Sequence, residues 1–361
     1  MRWVARFAMA GAMAAALIAS GKAEAQVKLA GDPNVSFIFF GTISDGGWNG
    51  AQDRARQAVE KRLGLKIPYV QNVPEETEKV KEAIDLFISR GSNIIVGGGW
   101  GYSDAFLAEA KEHPDRAFIN INGASSAPNY ESFYGRTYEG WYLAGMAAGA
   151  VTKSKVLGMI EAFPLASVIW DLNAFAIGAK AVNPGVVVKA AFINAWNDPV
   201  KESQLSKAMI EQGADVIATD MDTPAALIVA EKAGKYSVGF QNDMASAVPN
   251  GILTSVVYYW ENHLVPATEE IKAGSWKSAG QPLYGIKEKV IDIAPLQHVP
   301  ADAVARITAA RQAIIDGKLS PFDGPVKAQD GTVKVTAGQR LGEADLWKMN
   351  YLVDNVQGSM K

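Results

Sequence analysis

The chain has 361 residues, 48% of them hydrophobic and 20% charged, with a formal net charge of -3 and no cysteine. That length supports a large buried core without staples. The missing thiols exclude disulfides, a thiol nucleophile, thiolate metal sites and a cysteine-linked lipid anchor together. A mildly acidic chain of mixed charge gives no reason to expect nucleic acid or an anionic membrane as a partner.

Residues 1–25 carry Arg2 and Arg6, an apolar run from Phe7 to Ala19, and Ala23-Glu24-Ala25. This is the basic, apolar, small-x-small order of a cleaved export signal. The apolar run is too short for a membrane span, and no other segment reaches the ~18 apolar residues one needs. Cleavage near Ala25 leaves about 336 residues with a formal charge of -5. A periplasmic protein is expected.

Strands are expected at Val35–Phe40, Lys66–Val70, Asn93–Val96, Ala117–Ile121, Lys155–Ile160, Val186–Phe192, Asp215–Thr219, Tyr236–Gly239 and Ile252–Val257. Amphipathic helices alternate with them at Glu75–Arg90, Ala105–Lys111, Tyr138–Val151, Ser167–Ala181, Pro199–Gln212 and Pro224–Ala233. Val80, Ala83, Ile84 and Phe87 recur at helical spacing. Alternating β and α with continuous apolar strands predicts α/β architecture, a parallel sheet covered on both faces. The series runs twice, with residues 149–154 as the link, so two Rossmann-like lobes around a central ligand cleft are expected. One lobe would comprise residues 26–151 plus about 265–361, the latter as a C-terminal extension, and the other residues 152–264. Beyond residue 260 the rhythm fails: extended chain is expected over Gly280–Pro295, a helix over Ala301–Asp316 and a hairpin around Asp330-Gly331.

In open α/β sheets, ligands sit outside the carboxyl ends of the strands. After the first strand come Ser44, Asp45, Trp48 and Asn49, equipment for holding a flat polar ring, although core packing of Trp48 is an equal alternative. Trp100 and Tyr102 lie in a loop with four glycines that is neither a dinucleotide fingerprint nor a phosphate-binding P-loop. Asn122, before Gly123, faces the cleft unless turn chemistry alone accounts for it. In the second lobe Trp196 is a candidate site aromatic, whereas Asp198-Pro199 reads as a helix cap. Asp222 either caps a helix or accepts from ring N–H groups. Asp243 ends another strand, and Trp170, near Asn173, is a further aromatic candidate. Trp260 and Trp276 are expected in the core. No zincin, nucleophile-elbow or calcium-loop motif occurs. Neither metal nor cofactor is expected. An acid/base pair drawn from Asp45, Asp222 and Asp243 stays open.

The segments Ser44-Asp45-Gly46-Gly47-Trp48-Asn49, Tyr138 to Gly145, Ala195 to Glu202, Gly213 to Ile217 and Val238 to Asp243 resemble the basic-membrane-protein family of substrate-binding proteins, which includes purine nucleoside receptors. The resemblance runs from Val35 to about Lys277. It implies a periplasmic binding protein type I-like fold, no enzymatic activity, and an ABC importer's membrane subunits as partners. It also implies a small-molecule ligand, a purine. By the same resemblance Asp45 would accept from the purine edge, Trp48 would stack in place of a Phe, and Asn122 stands where Asp is common. Gln241 replaces the first aspartate of a G-x-D-x-D-like segment whose second is Asp243, and Tyr258 stands where nucleoside binders carry Lys. Loss of that carboxylate and cation favours a free base, adenine or hypoxanthine, over a nucleoside. The ring would be sandwiched between Trp48 and Trp196 as the lobes close. Trp48→Ala is expected to abolish most binding without unfolding. Other readings are an exported purine nucleoside hydrolase, a ligand-sensing module of a signalling receptor, or a pocket for a sugar.

Overall fold

The computed structural model describes residues 27–360. The leader, residues 1–25, lies outside the described residues. Two parallel-dominated sheets account for the strand–helix alternation. The first is built from β1 (Val35–Ile38), β2 (Tyr69–Val70), β3 (Ile94–Gly97), β4 (Ala117–Ile121) and β5 (Tyr130–Gly135). The second is built from β6 (Val156–Glu161), β7 (Val187–Phe192), β8 (Val216–Asp220), β9 (Tyr236–Gln241) and β10 (Ile252–Tyr258). In both, the spatial order of the five strands is second, first, third, fourth, fifth. The repeat visible in sequence is therefore a repeat of topology. Each sheet reverses direction beside its first strand, which opens a crevice at the carboxyl ends there.

The connecting helices are α1 (Trp48–Leu63), α2 (Thr77–Ser89), α3 (Ser103–Glu112), α4 (Thr137–Val151), α5 (Ala166–Val182), α6 (Pro199–Glu211), α7 (Ala225–Lys232) and α8 (Glu261–Ala273). Their faces follow the apolar spacing: α2 buries Val80, Ala83, Ile84 and Phe87 and leaves its charges in water. Asp198 caps α6 by accepting from the Lys201 N–H at 3.0 Å, with Pro199 in the first turn. β2 keeps only two of the five residues expected for it. β5 is absent from the expected strands because Glu131 and Ser132 make it look polar. Glu131 is buried, and its two oxygens meet His263 Nε2 at 2.6 Å and the Ala279 N–H at 2.8 Å.

Beyond α8 the chain adds strands to both sheets and forms a separate hairpin. β11 (Leu283–Tyr284) extends the first beside β5. β12 (Ile291–Ile293) and the last strand extend the second, β12 pairing antiparallel to β10. α9 (Ala301–Ile315) follows, then the expected hairpin of β13 (Val326–Lys327) and β14 (Val333–Val335), α10 (Glu343–Leu346) and β15 (Val356–Gln357), parallel to β7. Trp260 and Trp276 are in the core, as expected. No helix among the described residues is long and apolar enough to cross a membrane.

The two halves share one core, and α4 is its axle. Residues Thr137 to Gly149 of α4 are buried on every side. Against α5 it packs backbone to backbone. A Cβ on Gly145 would lie 2.1 Å from the Phe175 carbonyl oxygen, and one on Gly178 would lie 2.0 Å from that of Tyr142. Two effects oppose at Gly145→Ala: helix propensity favours Ala by about 1 kcal/mol, and the clash forces two buried helices apart. Overpacking costs roughly 1–3 kcal/mol or more, so the clash wins. Gly145→Ala is expected to lower the urea midpoint and melting temperature; an unchanged or raised midpoint would contradict this helix contact.

Candidate functional site

The carboxyl ends of the two sheets face one another, and the loop after β1 bridges them. Asp45 organises that loop. Its Oδ1 accepts from the N–H groups of Gly47 and Gly50, both at 2.9 Å. Its Oδ2 accepts from the Asn49 N–H at 3.0 Å and from Asn49 Nδ2 at 2.7 Å. A carboxylate at the start of α1 also complements the helix dipole. The loop is thereby presented to the second half of the molecule, where Asn242 Nδ2 donates to the carbonyls of Gly46 and Gly47, each at 2.9 Å. Arg54 adds hydrogen bonds to Asn242 Oδ1 and the Tyr258 carbonyl. The cleft is closed.

Between the halves lies a cavity of about 430 Å³, partly open to solvent and within the usual range for small-molecule sites. Phe40, Trp48, Trp100 and Asn122 line it from the first half, and Trp196, Asp222 and Gln241 from the second. Trp48 serves both roles weighed for it. It is 8% exposed, stands edge-on to Tyr258 and Trp260 at 5.5 and 5.8 Å between ring centroids, and donates from Nε1 to the Gly98 carbonyl at 2.9 Å. Trp48→Ala would therefore remove core contacts as well as cavity wall, costing about 3–5 kcal/mol. Trp196 is 37% exposed and packs on Phe163 at 5.2 Å, so its ring is spared such duty.

The polar end of the cavity is a coupled pair. Gln241 Nε2 donates to Asp222 Oδ1 at 2.7 Å, while Gln241 Oε1 is buried with no hydrogen-bond partner. An orphaned acceptor costs about 1–3 kcal/mol unless a ligand or water supplies a donor. Gln241 also has a φ of 70°, an uncommon backbone state for a residue of this type. Burial pushes the Asp222 carboxyl from 3.8 up to about 7; Gln241 opposes the shift and the Asp45 charge adds to it. Glu161, Asp171 and Asp220 are buried close by, and burial raises all three carboxyls well above their ordinary range, helped by the charge of Asp220 at Glu161 and Asp171 and by that of Asp222 at Asp220. Both oxygens of Glu161 lack hydrogen-bond partners among the described residues. A block of buried acidic residues therefore backs the polar end.

Of the ten residues singled out from sequence, Trp48, Trp100, Asn122, Trp196 and Asp222 line this cavity. The other five do not. Both oxygens of Asp45 are occupied by its own loop, and the Asn49 amide is tied to Asp45 and to the Gly41 N–H at 3.1 Å. Tyr102 is fully buried, its hydroxyl donating to the Val73 carbonyl at 2.8 Å. Trp170 is fully buried and donates to Thr137 Oγ1 at 2.9 Å. Asp243 caps a short turn through the Ala245 N–H at 3.0 Å. Sequence reasoning missed Phe40, Glu75, the start of α5 with its cap (Leu165, Ala166 and Ser167) and Trp347. The polar ends of the second and sixth strands could have flagged Glu75 and Ser167, but nothing marked Trp347.

A family model described as ABC transporter substrate-binding protein, PnrA-like, matches residues 33–320. A purine-binding protein of Brucella abortus is 34% identical, the match covering 97% of this chain and 99% of that protein. A Haloferax volcanii protein named as an ABC-transporter glucose-binding protein is 35% identical over 68% of this chain and 62% of its own length. A solved ABC-transporter solute-binding protein of Aeropyrum pernix K1 shares the fold at a TM-score of 0.71, covering 88% of this chain and 95% of that one at 15% identity. Fold, closed cleft and sequence agree: the chain belongs to the Bmp family of PnrA-like ABC-transporter substrate-binding proteins.

Proposed function

We propose that this protein captures a free purine base, adenine or hypoxanthine, by closure of its two halves and delivers it to the membrane subunits of an ABC importer. One observation carries the reading: indole rings from both halves line a cavity whose polar end is formed by Gln241 and the Asp222 carboxyl it donates to. A flat heterocycle gains about 1–3 kcal/mol from stacking on each such ring. Its edge N–H groups satisfy acceptors that are otherwise stranded, and an analogue without those donors is penalised. The purine-binding relative, matched over nearly the full length of both chains, supports the class of ligand. Gln241 and Tyr258, in place of an acid and a cation, favour the base over the nucleoside. The Tyr258 ring is buried against Trp48 and Trp260, where it offers nothing to a ribose.

Titration calorimetry on protein stripped of ligand by unfolding and refolding tests this. Adenine or hypoxanthine should bind at least about tenfold more tightly than adenosine, a difference of ~1.4 kcal/mol. Equal or tighter adenosine binding would overturn the base preference. Silence from all purines together with binding of glucose would replace the purine by a sugar. Trp196→Ala should weaken base binding by roughly tenfold to a hundredfold, the equivalent of one stacking contact, and leave the melting temperature nearly unchanged. Normal affinity in that variant would remove Trp196 from the site.

The buried acids give a pH signature. Between about 3.8 and 7 the folded protein keeps an Asp222 proton that the unfolded chain releases. The associated stability is full below the lower value and is lost as pH rises through the upper. Glu161, Asp171 and Asp220 act with the same sign. Asp198, Asp215 and Asp323, held below their ordinary range, lose their contribution only on further acidification. The ligand-free protein should therefore melt higher near pH ~5 than near pH ~7.5, and Asp222→Asn should flatten that slope. A melting temperature that climbs over the same interval would contradict the assignment.

A further inference from the structure

The family model stops at residue 320, yet the chain beyond it reaches the ligand cavity. This C-terminal segment is laced onto the second half. Asn173 Nδ2 donates to the Tyr351 carbonyl at 2.8 Å and Asn173 Oδ1 accepts from the Val353 N–H at 2.9 Å. Asn355 Nδ2 donates to the Ala176 carbonyl at 2.9 Å, and β15 pairs with β7. From that footing the segment holds Trp347 across the cleft. The Trp347 ring lies 4.8 Å from Trp170 on its own side, and 6.0 and 6.2 Å from Trp100 and Tyr134 of the first half.

Two features separate this ring from ordinary core packing. Trp347 is 38% exposed and its neighbour Trp100 is 51% exposed, an unusual expense of two large indoles at a surface. Both also line a second cavity of about 370 Å³, between the segment and the β5–β11 edge, where Ser132, Gln281 and Glu343 supply polar walls. The Trp100–Trp347 pair thus stands between the ligand cavity and a side chamber that opens to solvent.

We infer that Trp347 is a ligand-contacting residue and that it forms, with Trp100, a gate: the C-terminal segment is a strap on the second half that seals the ligand cavity on closure and sets the rate of release. The choice of adenine as probe rests on the purine reading; the gate itself does not. Each half contributes one ring, so opening the cleft separates the pair and closing it completes the wall. A residue acting in this way slows dissociation more than it speeds association, because it covers a ligand already bound.

Stopped-flow release of adenine from the wild-type chain and from Trp347→Ala, Trp347→Phe and Trp100→Ala tests the gate. Trp347→Ala and Trp100→Ala should each release adenine about tenfold faster or more, with association changed far less. Trp347→Phe should stay within about threefold of wild type, because a smaller ring still covers the opening. Melting temperatures close to wild type would separate gating from damage to the fold. Release from Trp347→Ala at the wild-type rate would overturn the inference. A second readout needs no ligand: hydrogen exchange over residues 98–102 should quicken in Trp347→Ala, and unchanged exchange there would overturn the gate. Failure of adenine to bind the wild-type chain would count against the purine reading and leave the exchange result to judge the strap.

Discussion

Closure of the cleft depends on a contact that only a residue without a side chain permits. A Cβ on Gly47 would lie 2.4 Å from Gln241 Oε1 and 2.6 Å from the Asp222 Cα. The β1 loop can therefore lie flat against the strand ends of the opposite sheet. Asn242 then reaches the Gly46 and Gly47 carbonyls, and Trp48, the next residue, is delivered to the cavity wall. The Asp45 carboxylate holds that loop in the shape the contact needs. Its role is structural: it builds one wall of the cavity.

Division of labour runs through the site. The first half brings rings fixed by its core, Trp48 above all; the second brings the acceptor pair Asp222 and Gln241 and the less encumbered ring of Trp196. Neither half encloses the cavity alone, so a ligand touching both shifts the population toward the closed form in proportion to the contacts it adds there. Behind Asp222, none of Glu161, Asp171 and Asp220 is in an ion pair with Lys or Arg among the described residues, and burial raises all three carboxyls well above their ordinary range.

The fold was legible because its signals are local. Apolar strands such as Val35–Phe40, the helical spacing of Val80, Ala83, Ile84 and Phe87, and the cap at Asp198-Pro199 each declare an element without reference to the rest. β5 was not legible, since Glu131 is tolerated in a buried strand through His263 and the Ala279 N–H, 132 and 148 residues away. The site was half legible. A strand-end position identifies which loops approach the cleft but not which way a side chain turns. Trp100 and Tyr102 lie two residues apart in one turn, and one lines the cavity while the other seals the core. Asp45 and Asp243 looked like ligand contacts because a carboxylate that caps a backbone and one that reads a ring edge are the same residue in sequence. Trp347 carried no signal at all: its helix, Glu343–Leu346, is too short for a periodicity, and its partners lie up to 247 positions away.

The central claim is that residues of both halves hold one flat ring in the closed cleft, edge toward Asp222 and Gln241. A crystal structure of the protein grown with adenine tests it most directly. The account predicts the base in the cavity between the Trp48 and Trp196 rings, with donors within hydrogen-bond distance of Gln241 Oε1 and the Asp222 carboxyl. Adenine bound elsewhere, or lying in the cavity with its polar edge turned away from Gln241, would contradict it.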